Sequence, residues 1–408
     1  MLFILIKNEL IKLMKKSKTW IVFGLFAAVI GITMFAQYNQ DKNFREWNTP
    51  QKKLEMAKGE LEYTNSELQN IDNNTNQNPE YIQYLEDRRI QLQEEIKIYE
   101  NQIKNGIDDD LWKLQLEQSI KDSEYNIEEY KNYDDEWSKR FLLEEQENLE
   151  MLKYLKENNI KPLEGWEYEA YNYMKKLIEF LGMAILLCGI AVFMSDIVSG
   201  ECTPATLKFL LIQPVSRGKV LLSKFIAVTL TVLTMIIGGE LIGFSIINLT
   251  SNLSANNYPV TIGTMFNKVI NSDGSIELVK VASSGYMATN SELFIKALLF
   301  QVLFIIAACA FVFMISTLIK SSMITMAVSV VVTVFLSILS INFESLKKYA
   351  HLFFVNYGDA IKILTGNSAI MYNNANMNLI TGIVVLISTA IIAYIIAYFN
   401  FKNKDILI

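Results

Sequence analysis

The sequence predicts an all-α polytopic membrane protein with six transmembrane helices and a helical, coiled-coil-like extracellular domain. Three observations predict this class: six long apolar runs, a strongly acidic block after the first run, and basic residues clustered before the first run, between the second and third, at Lys320 and after the last. A helix that crosses a bilayer needs about 20 mostly apolar residues. A soluble protein would not leave so much apolar sequence unbroken, so the soluble globular class is excluded.

The apolar runs fix the order of the predicted elements. They predict transmembrane helices over residues 19–38, 175–195, 225–249, 293–319, 323–342 and 379–401. The connecting segments are then 1–18, 39–174, 196–224, 250–292, 320–322, 343–378 and 402–408. An even number of spans places both termini on the same side of the membrane.

Charge predicts the orientation. Residues 41–170 contain 32 acidic and 17 basic residues, a balance of −15, whereas the rest of the chain contains 11 acidic and 20 basic residues, a balance of +9. Lys and Arg are enriched in cytoplasmic loops. We therefore expect a multi-pass protein of the cell membrane with cytoplasmic N- and C-termini and with the acidic block outside.

Residues 2–18 have the pattern of an amphipathic helix that lies in the cytoplasmic membrane interface. Its apolar stripe contains Leu2, Phe3, Ile6, Leu10, Leu13 and Met14, with lysines mainly opposite, so membrane lipid is an expected partner. The alternative is a helix that only precedes the first span and packs on its neighbours. A cleaved signal peptide is disfavoured because the apolar run is long and Ala36-Gln37 is a poor cleavage context.

The acidic block is predicted to be helical. Two heptad-like seams run through it, and the 108–158 stretch should bend near residues 132–135 so that the chain can return to the membrane, giving a four-helix bundle or paired hairpins. Its acids form either a solvated face or a cation-binding site. In the next external loop, residues 275–281 alternate like a short strand after a turn at Asp273 and Gly274.

No catalytic motif is present. The sequence lacks a G-x-x-x-x-G-K-[ST] phosphate loop, an H-E-x-x-H motif, a C-x-x-C motif and a G-x-S-x-G motif. The three cysteines, Cys188, Cys202 and Cys309, lie in or beside predicted spans without metal-ligand spacing. We therefore expect no enzyme activity, metal site, cofactor or nucleic-acid partner for this chain alone.

The most specific segment is the basic connection at 200–224. A short amphipathic helix is predicted to begin near Thr206 and to end at Pro214, and the next helix begins near Ser216. Glu201 is favoured near the first helix's N-terminus by the helix dipole. Arg217 can make a bidentate contact with a partner carboxylate or with Glu201. The alternative is an ordinary loop whose Lys and Arg residues serve topology only.

This segment resembles the cytoplasmic loop of type-2 ABC-transporter permeases, in which an acidic residue followed by G-T-L-K-x-L-L and P-x-S-R marks the coupling helix. The matching residues here are Asp196, Gly200, Glu201, Thr206, Leu207, Lys208, Leu210, Leu211, Pro214, Ser216, Arg217 and Lys224. Thr203-Pro204-Ala205-Thr206 replaces the family's usual Gly before the Thr. The resemblance implies a groove for this helix on a separate ABC ATP-binding subunit, which would bind ATP and Mg, and a second permease copy or sister permease.

The resemblance predicts the permease subunit of an ABC exporter for an unidentified substrate, such as a peptide, an antibiotic or a lipid. The alternatives are a non-transporting membrane sensor or scaffold that acts through its extracellular coiled-coil domain, and ATP-driven motion relayed to that domain without transport. Glu240, the one ionisable residue deep in a span, is either a substrate-path or proton-linked carboxylate, or a structural acid beside close-packing glycines.

Overall fold

The computed structural model describes residues 2–72, 79–106, 110–133, 136–182, 184–201, 215–251, 253–270, 276–282 and 284–403. Within these ranges the chain forms fifteen α-helices and four short strands. The helices are α1 Leu2–Lys15, α2 Ser17–Trp47, α3 Pro50–Asp72, α4 Pro79–Asn105, α5 Leu111–Lys131, α6 Glu136–Glu157, α7 Ala170–Gly182, α8 Ile185–Met194, α9 Arg217–Thr250, α10 Asn290–Leu318, α11 Ser322–Asn342, α12 Glu344–Lys347, α13 Ala360–Thr365, α14 Asn367–Met371 and α15 Leu379–Asn403. The strands are β1 Pro259–Ile262, β2 Phe266–Ile270, β3 Ile276–Lys280 and β4 Tyr286–Thr289.

Five of these helices, α2, α9, α10, α11 and α15, are long and apolar enough to cross a membrane. The pair α7 and α8 supplies a sixth candidate span if it is taken as one bent unit, in which the two helix axes differ by 61°. The prediction of an all-α polytopic membrane protein is confirmed.

Helix α10 forms the centre of the membrane domain. In its most apolar window 61% of the residues are buried inside the protein, compared with 11% for α2, 22% for α11 and 17% for α15. Small side chains at Ala307, Ala308, Cys309 and Ala310 are fully buried and let neighbouring helices approach closely. The outer helices α2, α11 and α15 therefore present most of their apolar surface outward.

The bend between α7 and α8 has a steric cause. The sequence predicts one continuous helix over 175–195, whereas α7 ends at Gly182. A Cβ atom on Gly182 would lie 2.7 Å from backbone atoms of Gly358 and Asp359, so only glycine allows this approach. Ala184, just before α8, has a φ of +78°, the left-handed conformation that ends a helix path.

Helix α2 continues beyond the membrane into the acidic block. Its 31 residues extend over about 46 Å, which is longer than the roughly 30 Å of bilayer hydrocarbon. Its outer end is held by Asp41, which accepts a hydrogen bond from the backbone amide of Tyr168 at 3.0 Å. Phe44 stacks on Trp166 with ring centroids 4.0 Å apart. These contacts join the C-terminal part of α2 to the segment between α6 and α7.

The acidic block consists of two antiparallel helical hairpins, α3–α4 and α5–α6, which is the paired-hairpin alternative. The first predicted seam contains Leu85, Leu92, Ile96, Tyr99 and Ile103; Leu85 and Leu92 are buried, whereas Ile103 is 40% exposed. The second contains Leu116, Ile120, Ile127, Tyr130, Trp137 and Phe141; its first three members are buried, and the Trp137 side chain is not among those described. The predicted bend lies between the end of α5 at Lys131 and the start of α6 at Glu136.

The loop between α9 and α10 contains two separate antiparallel strand pairs, β1 with β4 and β2 with β3. Strand β3 coincides with the predicted strand, whereas the predicted turn at Asp273 and Gly274 lies outside the described residues. Lys280 on β3 forms an ion pair with Glu147 on α6. The strands therefore connect the α5–α6 hairpin to the membrane domain.

Candidate functional site

Seven charged side chains join α1, the start of α2, the end of the second span and the first turns of α9. We call this group the charged cluster; it contains Glu9, Lys12, Lys16, Lys18, Asp196, Glu201 and Lys224. Leu13 of α1 is buried in the same apolar core as α9, with Ile6 and Leu10 packed against that core. Residues three or four apart lie on one face of a helix. Glu9 and Lys12 are therefore on the side of α1 that also carries these apolar residues and that packs on α9.

Lys224 is the most buried member of the charged cluster. Its ammonium lies 2.8 Å from Oε1 of Glu201 and 2.9 Å from Oε1 of Glu9, and its side chain is 1% exposed. Lys12 forms an ion pair with the same oxygen of Glu201. Burial lowers the pKa of Lys12, but the hydrogen bond and charge of Glu201 outweigh it, so the pKa is raised. Each buried charge therefore depends on its partners for compensation.

Asp196 forms the second half of the charged cluster. Its two carboxylate oxygens accept from Lys16 at 3.0 Å and from Lys18 at 2.7 Å, and Lys18 also donates to Ser195 Oγ at 3.2 Å. Gly200 lies one turn further on, where a Cβ atom would approach the Asp196 Cβ to 3.0 Å. Glycine thus lets the chain turn tightly past the Asp196 side chain.

The same segment is also attached to the central helix α10. Ser316 Oγ accepts hydrogen bonds from the backbone amides of Val198 and Ser199, both at 3.2 Å, and donates to the carbonyl of Ser195 at 3.2 Å. Ser195, Val198, Ser199 and Ser316 are all buried. Residues 195–201 are therefore fixed on one side by lysines of α1 and α2 and on the other side by α10.

The other end of the predicted coupling segment begins α9. Ser216 occupies the position before the helix, and its side chain makes no capping hydrogen bond within the described residues. Arg217 donates from Nη1 to the backbone carbonyl of Lys402 at the end of α15, at 3.1 Å. Among the described residues, Arg217 does not contact Glu201, whose Oε1 is instead contacted by Lys12 and Lys224.

The structure brings together three of the predicted residues, Asp196, Glu201 and Lys224, and places Gly200 beside them. The remaining half of the motif lies outside the described residues, namely Thr206, Leu207, Lys208, Leu210, Leu211 and Pro214. Their expected role in an amphipathic helix stays a prediction.

Sequence reasoning missed the partners that α1 and α2 supply: Glu9, Lys12, Lys16 and Lys18. A signal for them was present. Only four acidic residues occur in the segments predicted to be cytoplasmic, namely Glu9, Asp196, Glu201 and Asp405. The first three each contact a lysine, and Asp405 lies outside the described residues. Scarce acids among many lysines are expected to be paired when they are buried.

Glu240 lies on α9 at the centre of the membrane domain and is completely buried. Gln301 of α10, which is also buried, donates from Nε2 to Glu240 Oε1 at 2.8 Å. The adjacent Gly239 packs against α2, where a Cβ atom would lie 2.8 Å from Ile30. The carboxyl group thus bridges α9 and α10 beside a close helix contact.

The chain was compared with known proteins. Its residues 3–406 match the profile of the family described as ABC-2 family transporter protein. Among curated proteins, none matches the chain significantly. The family match extends over nearly the whole chain, including the charged cluster and every candidate span. Members of this family are membrane subunits that associate with an ABC ATP-binding subunit. The chain therefore belongs to the ABC-2 family of transporter proteins, as the membrane-spanning permease subunit of an ABC transporter.

Proposed function

We propose that this permease couples ATP hydrolysis on a separate ATP-binding subunit to the export of an unidentified substrate (a peptide, an antibiotic or a lipid). The functional complex would contain a second permease copy or a sister permease and two ATP-binding subunits. The termini and the 196–224 segment would lie in the cytoplasm, and the two helical hairpins would lie outside the cell membrane. ATP and Mg would be bound by the partner subunit alone.

One observation carries the proposal: both ends of the predicted coupling segment are anchored to other helices. On the near side, Glu201 is held by Lys12 and Lys224. On the far side, Arg217 is bonded to the end of α15. A segment anchored at both ends transmits a push from a bound partner, because neither end can slide away from the helix that it joins.

The anchors also determine where such a push would go. The near end continues into α8, which packs on α11, and residues 198 and 199 are bonded to Ser316 of α10. The far end is the first turn of α9, which packs on α1, α2 and α10. A partner that moved residues 202–214 would therefore move the second and third spans together, and this is the motion that alternating access needs.

The test is coexpression of the chain with the ATP-binding subunit, followed by purification through a tag on the permease. We expect the ATP-binding subunit to be retained in stoichiometric amount. Replacing Leu210 and Leu211 by Ala should remove it or reduce its ATPase rate at least tenfold, since paired leucines on an amphipathic helix are the apolar contact expected in the partner's groove. Leu249→Ala is the matched control, because Leu249 is 84% exposed at the opposite end of α9.

A permease that is isolated alone, or a double leucine variant that keeps both partner and ATPase rate, would overturn the proposal. Transport itself is tested in liposomes that contain the complex: ATP-dependent movement of a candidate substrate supports export. Retained ATPase activity without any transport, over a panel of peptides, antibiotics and lipids, would favour the sensor or relay alternatives.

Orientation is tested separately in intact cells with a membrane-impermeant maleimide. A cysteine introduced at Tyr125, which is 68% exposed on α5, should be labelled from outside, and one introduced at the exposed Lys7 of α1 should not. The reverse pattern would refute the proposed orientation.

A further inference from the structure

A cavity of about 300 Å³ lies between the first, second and third spans. Its walls come from α2, α7, α8 and α9 and consist of apolar side chains together with Cys188 and Gly189. Ligand pockets in proteins typically have volumes of about 300–1,000 Å³, so this cavity is large enough for part of a ligand. Among the described residues its lining offers no ionised group, which indicates an apolar occupant.

The position of the cavity along the helices indicates its depth. On α2 it extends from Val22 to Val29, and on α8 it ends at Val192 and Phe193. These positions lie near the α1 end of both helices. The cavity therefore occupies the half of the membrane domain that lies toward α1, which is the cytoplasmic half in the orientation proposed above.

Positive charge lies just beyond this end of the cavity. Lys18 precedes Val22 by one helical turn, roughly 6 Å along α2, and Asp196 lies four residues after Val192, just beyond the end of α8. Lys16 and Lys18 contact Asp196, so two ammonium groups face one carboxylate. The side chains of Lys16 and Lys18 remain 34% and 32% exposed, so each can also contact an anionic partner.

A tryptophan marks the membrane interface at the same level. Trp20 is 58% exposed, and its indole nitrogen donates to the backbone carbonyl of Met14 at 2.9 Å. Tryptophan is enriched where the bilayer meets water. The lysines beside it are thus at headgroup depth, whereas the cavity is at acyl-chain depth.

We propose that the cavity binds one acyl chain of an anionic phospholipid from the leaflet on the α1 side, with the lipid phosphate held near Lys16 and Lys18. Charge complementarity selects the anionic headgroup, and the apolar walls select the chain. The site lies against the charged cluster, so a bound lipid would contact the segment through which the partner subunit is expected to act. Lipid binding to the permease alone does not depend on ATP coupling; only the assignment of the leaflet depends on the proposed orientation.

The experiment is native mass spectrometry of the delipidated full-length permease titrated with phosphatidylglycerol and with phosphatidylcholine that has the same acyl chains. We expect one phosphatidylglycerol molecule to bind at least tenfold more tightly than phosphatidylcholine. Equal affinities in the wild-type protein would overturn the proposal and would indicate bulk annular lipid only.

Gly189→Leu tests the cavity itself. Within the described part of the chain, a Cβ atom on Gly189 meets no atom outside its own stretch of helix within 4 Å, so the larger side chain can enter the cavity without displacing the backbone of another element. We expect the tight phosphatidylglycerol adduct to weaken at least tenfold. Gly24→Leu is the control, because Gly24 also meets nothing within 4 Å but lies on the exposed face of α2. Unchanged binding in Gly189→Leu, with unchanged thermal stability, would refute the site.

Charge variants test the headgroup. Replacing Lys16 and Lys18 by Gln should make the two lipids bind with equal affinity, while Asp196→Asn should strengthen phosphatidylglycerol binding because it removes the competing carboxylate. These changes have opposite signs, so general loss of folding cannot mimic both. An Asp196→Asn variant that binds phosphatidylglycerol more weakly than the wild-type protein would contradict the headgroup assignment.

Discussion

The charged cluster and the α3–α4 hairpin both contain ion pairs that join different helices, but the pairs differ in burial. In the charged cluster, the side chains of Lys224 and Glu201 are 1% and 8% exposed. In the hairpin, Arg88 contacts Glu60 at 2.9 Å and Glu95 at 3.1 Å, with the three side chains 27%, 48% and 38% exposed. Ion pairs of similar length are therefore enclosed by protein in the charged cluster and partly surrounded by water in the hairpin.

The number of ion pairs in a region therefore does not measure how much they contribute to the stability of the protein. Water solvates each hairpin charge when its partner is removed, so such a pair contributes little. A charge in the cluster has lost most of its water and relies on its partner, so removal of one partner is costly. The exposed ion pairs of the hairpin therefore contribute little to stability, while the cluster charges fix the positions of α1, α9 and the 195–201 segment relative to one another.

The largest effect is expected for Glu201→Gln. The change keeps the shape of the side chain but leaves Lys224 with Glu9 as its only acidic contact among the described residues. We expect the free energy of unfolding to fall by about 3 kcal/mol, the size found when one partner of a buried pair is removed. The measurement is denaturant unfolding of the purified permease in detergent.

Glu95→Gln on α4 is the matched control, since the same chemical change there removes an exposed contact. If both variants lost equal stability, the distinction between the two regions would be wrong.

A double variant sharpens the same comparison. Lys224→Met removes the ammonium and leaves Lys12 as the one lysine that contacts Glu201 among the described residues, which should also destabilise the protein. In the double variant with Glu201→Gln, fewer buried charges remain without partners, so the combined loss should be smaller than the sum of the single losses by at least about 1 kcal/mol. Four unfolding experiments complete the cycle. Strictly additive losses would show that the two side chains act independently.

The fold class could be predicted because it depends on run length and on helical periodicity, both of which are local in the sequence. The seams at Leu92 and Leu116 are buried for that reason. The pairing of Lys12 with Glu201 could not be predicted, because 189 residues separate them. The positive charge that indicates membrane orientation is shared by many lysines, so it does not single out Lys12. The bend at Gly182 depends on the distant backbone of Gly358, which no local pattern reports.

The contact between Glu240 and Gln301 is an intermediate case between the charged cluster and the hairpin. Glu240 is as buried as Lys224 but contacts a neutral amide, so it tests whether burial or charge produces the large effect. We expect Glu240→Gln to be close to the wild-type protein in thermal stability, because an amide can replace the hydrogen bond to Gln301. Glu240→Leu should lose about 1 kcal/mol, the usual size of a hydrogen bond between membrane helices.

The outcome also separates the two alternatives for Glu240. A structural acid tolerates the amide, as expected above. A loss in Glu240→Gln as large as that in Glu240→Leu would show that the carboxyl group itself is needed, which would favour the substrate-path or proton-linked alternative.

A small effect that depends on salt is expected for Arg88→Ala on α4. Arg88 forms one ion pair with Glu60 of α3 and a second with Glu95, which lies two turns further along α4. The change therefore removes two ion pairs at once. Because all three side chains are partly exposed, water and salt already screen these contacts, and the loss should stay below about 1 kcal/mol and shrink further in high salt. Unfolding at low and high salt measures it. A loss as large as that of Glu201→Gln, independent of salt, would mean that the hairpin uses its charges in the same way as the cluster does.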